Sequence, residues 1–173
     1  MKRSAWTARP EVNNTRERSF VQAGRVIGVC TSLNRQDPKV NQGHGLLKKG
    51  VGLVGDSHGG TEKEVSLLAI ESIQKICQQT GLSAAPGSFA ENITTERIDL
   101  TSLSIGSRLR VGPTTLEVIQ IGKDPSQVHT YHFQGYSILP KEGIFCKVIE
   151  GGEINLGDTI EILEDHSKGK GGT

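Results

Sequence analysis

Across residues 23–163 the chain alternates short apolar runs with glycine-marked breaks, a pattern that predicts β-strands joined by tight turns. Residues 25–33 open with a β-type run, and residues 34–50 read as a loop rich in Gly, Asn and Lys around Pro38. A short strand follows at 51–54, and longer ones at 115–121 and 143–149. Two segments resemble each other: 103–111 and 154–162 both read apolar-x-apolar-Gly-Ser/Asp-x-apolar-x-apolar. A glycine turn feeding an alternating strand explains both. One segment carries a helical period instead. Val65, Leu68, Ala69, Ser72, Ile73, Ile76 and Cys77 share a face, Glu71, Gln74, Lys75 and Gln78 lie opposite, and Gly81 suits the C′ position. The sum predicts a mainly β fold with one or a few helices, arranged as a closed or partly open β-barrel. Strands and helices do not alternate and no GxGxxG opens a helix, which disfavours a dinucleotide-binding α/β fold.

Composition refines this picture. Hydrophobic residues are only 34% of the chain, but 22 glycines match a fold built from many turns. A net charge of +1 supplies no global field to draw the chain onto nucleic acid or an anionic membrane, while leaving room for a local basic pocket. Residues 1–22 are polar and charged and read as an N-terminal arm outside the core, a candidate surface for a protein partner; 164–173 read as a flexible Gly/Lys/Ser tail. Neither a secretory h-region nor a membrane-length apolar run is present, so a cytoplasmic location is expected by elimination. Cys30, Cys77 and Cys146 are too far apart for a CxxC pair, and each reads as a small buried hydrophobe.

Three segments are placed for chemistry. In Gly55-Asp-Ser-His-Gly-Gly60, free backbone N–H groups suit an anion, and Asp56 and His58 suit a ligand or water. The same residues also make an ordinary turn capped by Asp56. No GK[ST] follows, so this is not a Walker-type loop. In Pro86-Gly-Ser-Phe-Ala-Glu-Asn-Ile93, the pair Glu91-Asn92 fits hydrogen-bond recognition of a heterocycle, or a plain turn. In residues 122–132, His129 and His132 stand three apart with Asp124 near, the residue types of a small metal site or of a solvated loop.

Taken in order, Gly-Asp-x-His-Gly-Gly, Val65-Ser-Leu-Leu, Pro-Gly-x-Phe-x-Glu-Asn-Ile, Leu-x-Ile-Gly-x-Arg-Leu-x-Val-Gly, Pro140-Lys-Glu-Gly-Ile-Phe145 and Gly151-Gly-Glu-Ile-x-x-Gly-Asp158 strongly resemble the MOSC domain, found at the C-terminus of molybdenum cofactor sulfurases. The resemblance covers about residues 23–163 and is that of a stand-alone member. It implies a β-barrel associated with the molybdenum cofactor (molybdopterin), either carrying sulfur as a cysteine persulfide or binding the cofactor for reductive chemistry. It implies cofactor-binding roles for Asp56, His58, Glu91 and Asn92. Ser66, near the expected helix start, would offer a hydroxyl and amides to an anion. Lys48, Lys49, Arg108 and Lys123 are candidate phosphate partners. Pyridoxal phosphate belongs to a different domain of full-length sulfurases and is not expected here.

The chain departs from the family at one point. Similar sequences read Gly-Lys-acidic-Cys after the strand ending near Gly122, whereas this one reads Gly122-Lys-Asp-Pro125. Proline neither holds a persulfide nor ligates molybdenum. Further cysteines of similar sequences would fall near His129 and Ser137. Two substitutes remain: Cys146, if it faces the pocket, or His129 and His132 as ligands. The leading expectation is therefore binding of molybdopterin or another small anionic ligand without the expected cysteine. The alternatives are a sulfurtransferase or molybdenum-dependent oxidoreductase using Cys146, and a non-catalytic interaction module acting through the arm.

Overall fold

The computed structural model of the protein describes residues 23–123, 126 and 131–163. The arm, the tail, Asp124, Pro125 and His129 lie outside the described residues. In chain order the strands are β1 (Ala23–Thr31), β2 (Val40–Asn41), β3 (His44–Lys48), β4 (Gly52–Leu53), β5 (Val65–Ala69), β6 (Ile93–Glu96), β7 (Arg108–Val111), β8 (Thr114–Ile121), β9 (Ile144–Glu150), β10 (Gly152–Asn155) and β11 (Thr159–Ile162). Helix α1 (Ile70–Thr80) follows β5 directly, and the single-turn α2 (Leu139–Glu142) precedes β9.

Seven strands close into a barrel in the order β11-β7-β8-β9-β5-β6-β1, with β1 returning to β11 through Ala23–Glu161 and its neighbours. All of these pairs are antiparallel except β5 with β6. Closure leaves no open edge in the barrel. The two similar segments of the sequence end in β7 and β11, which pair with each other, Val111 opposite Ile160. Gly106 and Gly157 start the equivalent turns at φ of 90° and 87°, a conformation that only glycine adopts without strain. A smaller sheet, β10-β3-β4, packs beside the barrel.

The barrel is filled by the inward-facing residues of alternating strands, among them Val26, Leu67, Ile93, Leu109, Leu116, Ile144 and Ile160. A second apolar cluster lies outside it. Leu68 and Phe145 face outward from β5 and β9 and are covered by Ile73 of α1, Leu139 of α2 and Phe89. The ring of Phe89 meets Phe133 edge-on at 5.5 Å.

The structure departs from the sequence pattern in two segments. The helical period expected from Val65 onward holds only from Ile70: Val65–Ala69 is a strand, buried along its length, and the helix begins at Ile70. A run buried on both faces carries no alternation, so its apolar residues match a helical stripe by accident. Gly81 does end the helix in the left-handed conformation, its N–H donating to the carbonyl of Cys77. The segment 34–50 is not all loop, for it contains β2 and β3. Both are short and largely exposed, and a mixed polar sequence hides such strands. Among the described residues no helix is long and apolar enough to cross a membrane.

Candidate functional site

A cleft of about 100 Å³ opens where β8, β9, β5 and β6 run side by side. Ser66 lies in β5, Asn92 directly precedes β6, and Lys123 follows β8. His58 reaches the cleft from the turn after β4, joined by Arg35 and Lys63 from loops. Leu139 and Phe145 form an apolar wall. Four of the residues expected from sequence, His58, Ser66, Asn92 and Lys123, therefore share one cleft.

Asn92 and Ser66 lock the parallel strands together. The Oδ1 of Asn92 accepts from both the amide and the hydroxyl of Ser66, at 3.0 and 3.1 Å. Its Nδ2 donates to the carbonyl of Cys30 at 3.3 Å, which commits one of its two hydrogens. Ser66 is thus a mid-sheet residue rather than a helix start, and the expected helix amides are not behind it. The Asn92 side chain also bonds Asp56 and helps hold its carboxyl low, so the pair's part in the cleft is to shape its wall.

Asp56 and Glu91 support the cleft from below instead of lining it. Asp56, with its side chain 2% exposed, accepts from the amides of Ser32 and His58 and forms an ion pair of 2.5 Å with Lys39 Nζ. Lys39 is equally buried, at 1%. Burial pushes the Asp56 carboxyl upward, but the His58 ring facing it, the hydrogen bond and charge of Lys39 and the Asn92 side-chain amide outweigh it and hold the group well below the usual carboxylate range. Glu91 has no cation to offset burial, and its carboxyl is pushed up by desolvation. Its Oε1 accepts from the Gly87 amide at 2.6 Å and the Thr94 hydroxyl at 2.7 Å, while Oε2 has no partner. Gly87, at φ 91°, lets the two supports meet: the Lys39 amide donates to its carbonyl, and a Cβ there would collide with the carbonyl of Lys39.

The cations of the cleft crowd one another. Lys123 is held below the usual lysine range by burial and by the neighbouring charge of Lys63. Lys63 itself lies 5.1 Å from the centre of the Phe145 ring. Lys39, Arg35 and Lys63 were missed from sequence. Lys63 follows the glycine-rich turn by three residues and was open to inclusion. Lys39 sits in a polar loop where no local pattern distinguishes a buried lysine from an exposed one. Lys48, Lys49 and Arg108 do not line the cleft, and Arg108 instead pairs with Glu117 at 3.2 Å.

The cysteines lie elsewhere. Cys146 is fully buried in the barrel core, opposite Val65 and Val118, and burial raises its thiol well above the ordinary range. The condition for its being a nucleophile, that it face the pocket, is not met: in β9 its neighbour Phe145 faces the cleft and Cys146 faces inward. Cys30 is also buried, its thiol pushed up to about 12 by burial and by the Glu91 carboxyl. Cys77 sits on α1. No cysteine lines the cleft. His132 is exposed and borders a separate groove with Tyr136 and Ile76. Among the described residues no group of His, Cys, Asp or Glu is arranged to hold a metal ion.

A family model of the MOSC domain matches residues 54–161, more than half the chain. The chain belongs to the MOSC domain family. The matched span holds the turn of His58, the Ser66–Asn92 lock, Lys63 and Lys123. No curated protein matches it. Among solved structures, the YUAD protein from Bacillus subtilis shares the fold at 20% identity and a TM-score of 0.64, covering 81% of this chain and 95% of that one. YiiM from Escherichia coli is similar at 21% identity and a TM-score of 0.59, over 83% and 70%. YiiM from Geobacillus stearothermophilus is similar at 16% identity and a TM-score of 0.58, over 82% and 73%. At these identities the likeness concerns the barrel. Membership of the family makes this a domain of a type associated in general with the molybdenum cofactor.

Proposed function

We propose that this MOSC domain binds a molybdopterin-type or similar anionic ligand in the cleft of His58, Ser66 and Asn92, and that it does so without cysteine-based sulfur chemistry. The observation that carries this reading is the convergence of Arg35, Lys63 and Lys123 on one small cleft that His58, Ser66 and Asn92 also line.

The cleft residues fit one part of the cofactor and not another. Arg35, Lys63 and Lys123 suit a terminal phosphate, to which guanidinium and ammonium groups donate charge-assisted hydrogen bonds. Asn92 and Ser66, bonded to each other and to the backbone, shape the wall against which such a group would lie. A thiolate ligand for molybdenum, or a persulfide carrier, needs a sulfur at the cleft, and all three cysteines lie elsewhere. At about 100 Å³ the cleft accommodates a phosphate-sized group, while ligand sites for whole cofactors run to roughly 300 Å³ or more. The bulk of a pterin would therefore lie at the mouth, with the phosphate inside.

Calorimetric titration with isolated molybdopterin tests this reading. Lys63→Ala is expected to weaken binding by roughly tenfold, about 1.4 kcal/mol, with an unchanged fold. Equal affinity of wild type and variant, or no binding by either, would remove it. Nothing in the buried position of Cys146 favours the alternative of a sulfurtransferase.

A further inference from the structure

We infer that Lys39 is a positioning residue that holds His58 Nδ1 as an acceptor and leaves the N–H on Nε2, so that the imidazole presents a hydrogen-bond donor to the cleft. This deepens the anion-binding reading and rests on it only for what the donor meets.

The geometry around the ring decides the proton's place. His58 Nδ1 lies 3.3 Å from Lys39 Nζ, 3.5 Å from Ser57 Oγ and 3.7 Å from Asp56 Oδ2. A lysine ammonium has three donors and no acceptor, so an Nδ1 within hydrogen-bond reach of it must be the acceptor. The carboxylate of Asp56 would be the natural partner for an Nδ1–H, but 3.7 Å is too long for a hydrogen bond. Lys39 Nζ is the nearer neighbour of Nδ1, and Asp56 Oδ1 holds it in place. With Nδ1 committed as acceptor, the ring carries its N–H on Nε2.

Lys39 is held there by the fold. Its amide donates to Gly87, its side chain is 1% exposed, and Asp56 fixes Nζ. The ring itself is 38% exposed and borders the cleft with Arg35 and Lys63. With an Nε2–H added to these cations, the charged and imidazole groups of the cleft are all donors. Such a set favours a fully ionised oxyanion, which offers only acceptors, over a ligand that must donate.

Long-range ¹H–¹⁵N correlation spectra of the ligand-free protein read the tautomer directly, with the His58 signals assigned by their loss in His58→Gln. The expected pattern is a bare Nδ1 and a protonated Nε2 in wild type and in Lys39→Arg, which also supplies only donors. In Lys39→Met the expected pattern shifts toward Nδ1–H. A protonated Nδ1 in wild type overturns the inference, as does a Lys39→Met spectrum unchanged from wild type. If Lys39→Met does not fold, wild type and Lys39→Arg decide. A titration with inorganic phosphate separates the two readings. An Nε2–H ring in a protein that ignores phosphate supports the positioning role and refutes the anion site. A protonated Nδ1 in a protein that binds phosphate does the reverse.

Discussion

Replacing Lys39 by Met strands the charge of Asp56. The ion pair spans 2.5 Å, and the side chains are 1% and 2% exposed. An exposed pair of this kind would be worth about 0–1 kcal/mol. Removing one partner of a buried pair costs more, about 3–5 kcal/mol, because the other charge stays desolvated. Asp56 keeps the amides of Ser32 and His58, which places the expected loss near the lower end, about 3 kcal/mol. For a chain of 173 residues that lowers Tm by roughly 6–12 °C. Denaturant and thermal unfolding at pH 7, followed by circular dichroism, measure it. The double variant Lys39→Met/Asp56→Asn removes both charges and is expected to recover most of the loss, giving a strongly non-additive cycle. A Lys39→Met cost under about 1 kcal/mol, or a double variant equal to the sum of the singles, would show that the pair is not coupled as described.

Glu91 and the thiols give two further predictions. The Glu91 carboxyl is raised by burial, so the folded protein keeps its proton where the unfolded chain has lost it, and stability falls as pH rises from the unfolded value of about 4.3 through the folded one. Glu91→Gln keeps the acceptor for Gly87 and Thr94 and removes the titration, so its Tm advantage over wild type should grow across that pH window; parallel Tm profiles would contradict this. Thiol labelling of the native protein should modify Cys77 first and reach Cys30 and Cys146 only on unfolding. Labelling of Cys146 as fast as Cys77 would return it as a candidate nucleophile.

The barrel was legible because its strands obey local rules. The turns at Gly106 and Gly157 announce β7 and β11, and the alternation of Leu109 and Val111 with Arg108 and Arg110 marks the buried face. The split between β5 and α1 was not legible, since Val65–Ala69 is buried on both sides and has no period of its own. The motifs located the cleft but not the roles within it. Asp56 and Glu91 look like ligand contacts in a linear reading, and only burial shows that each holds the backbone or a second side chain. Lys39 was invisible for the converse reason: its partners are 17 residues away and further, brought together by the approach of two loops at Gly87. The direction of Cys146 depended on the register of β9, which one residue's shift would have reversed.

The anion cleft is tested most directly by mapping amide chemical shifts during titration with isolated molybdopterin. Saturable shifts centred on His58, Ser66, Asn92 and Lys123 are the predicted result. Shifts confined to other faces of the barrel, or none at all, would contradict it.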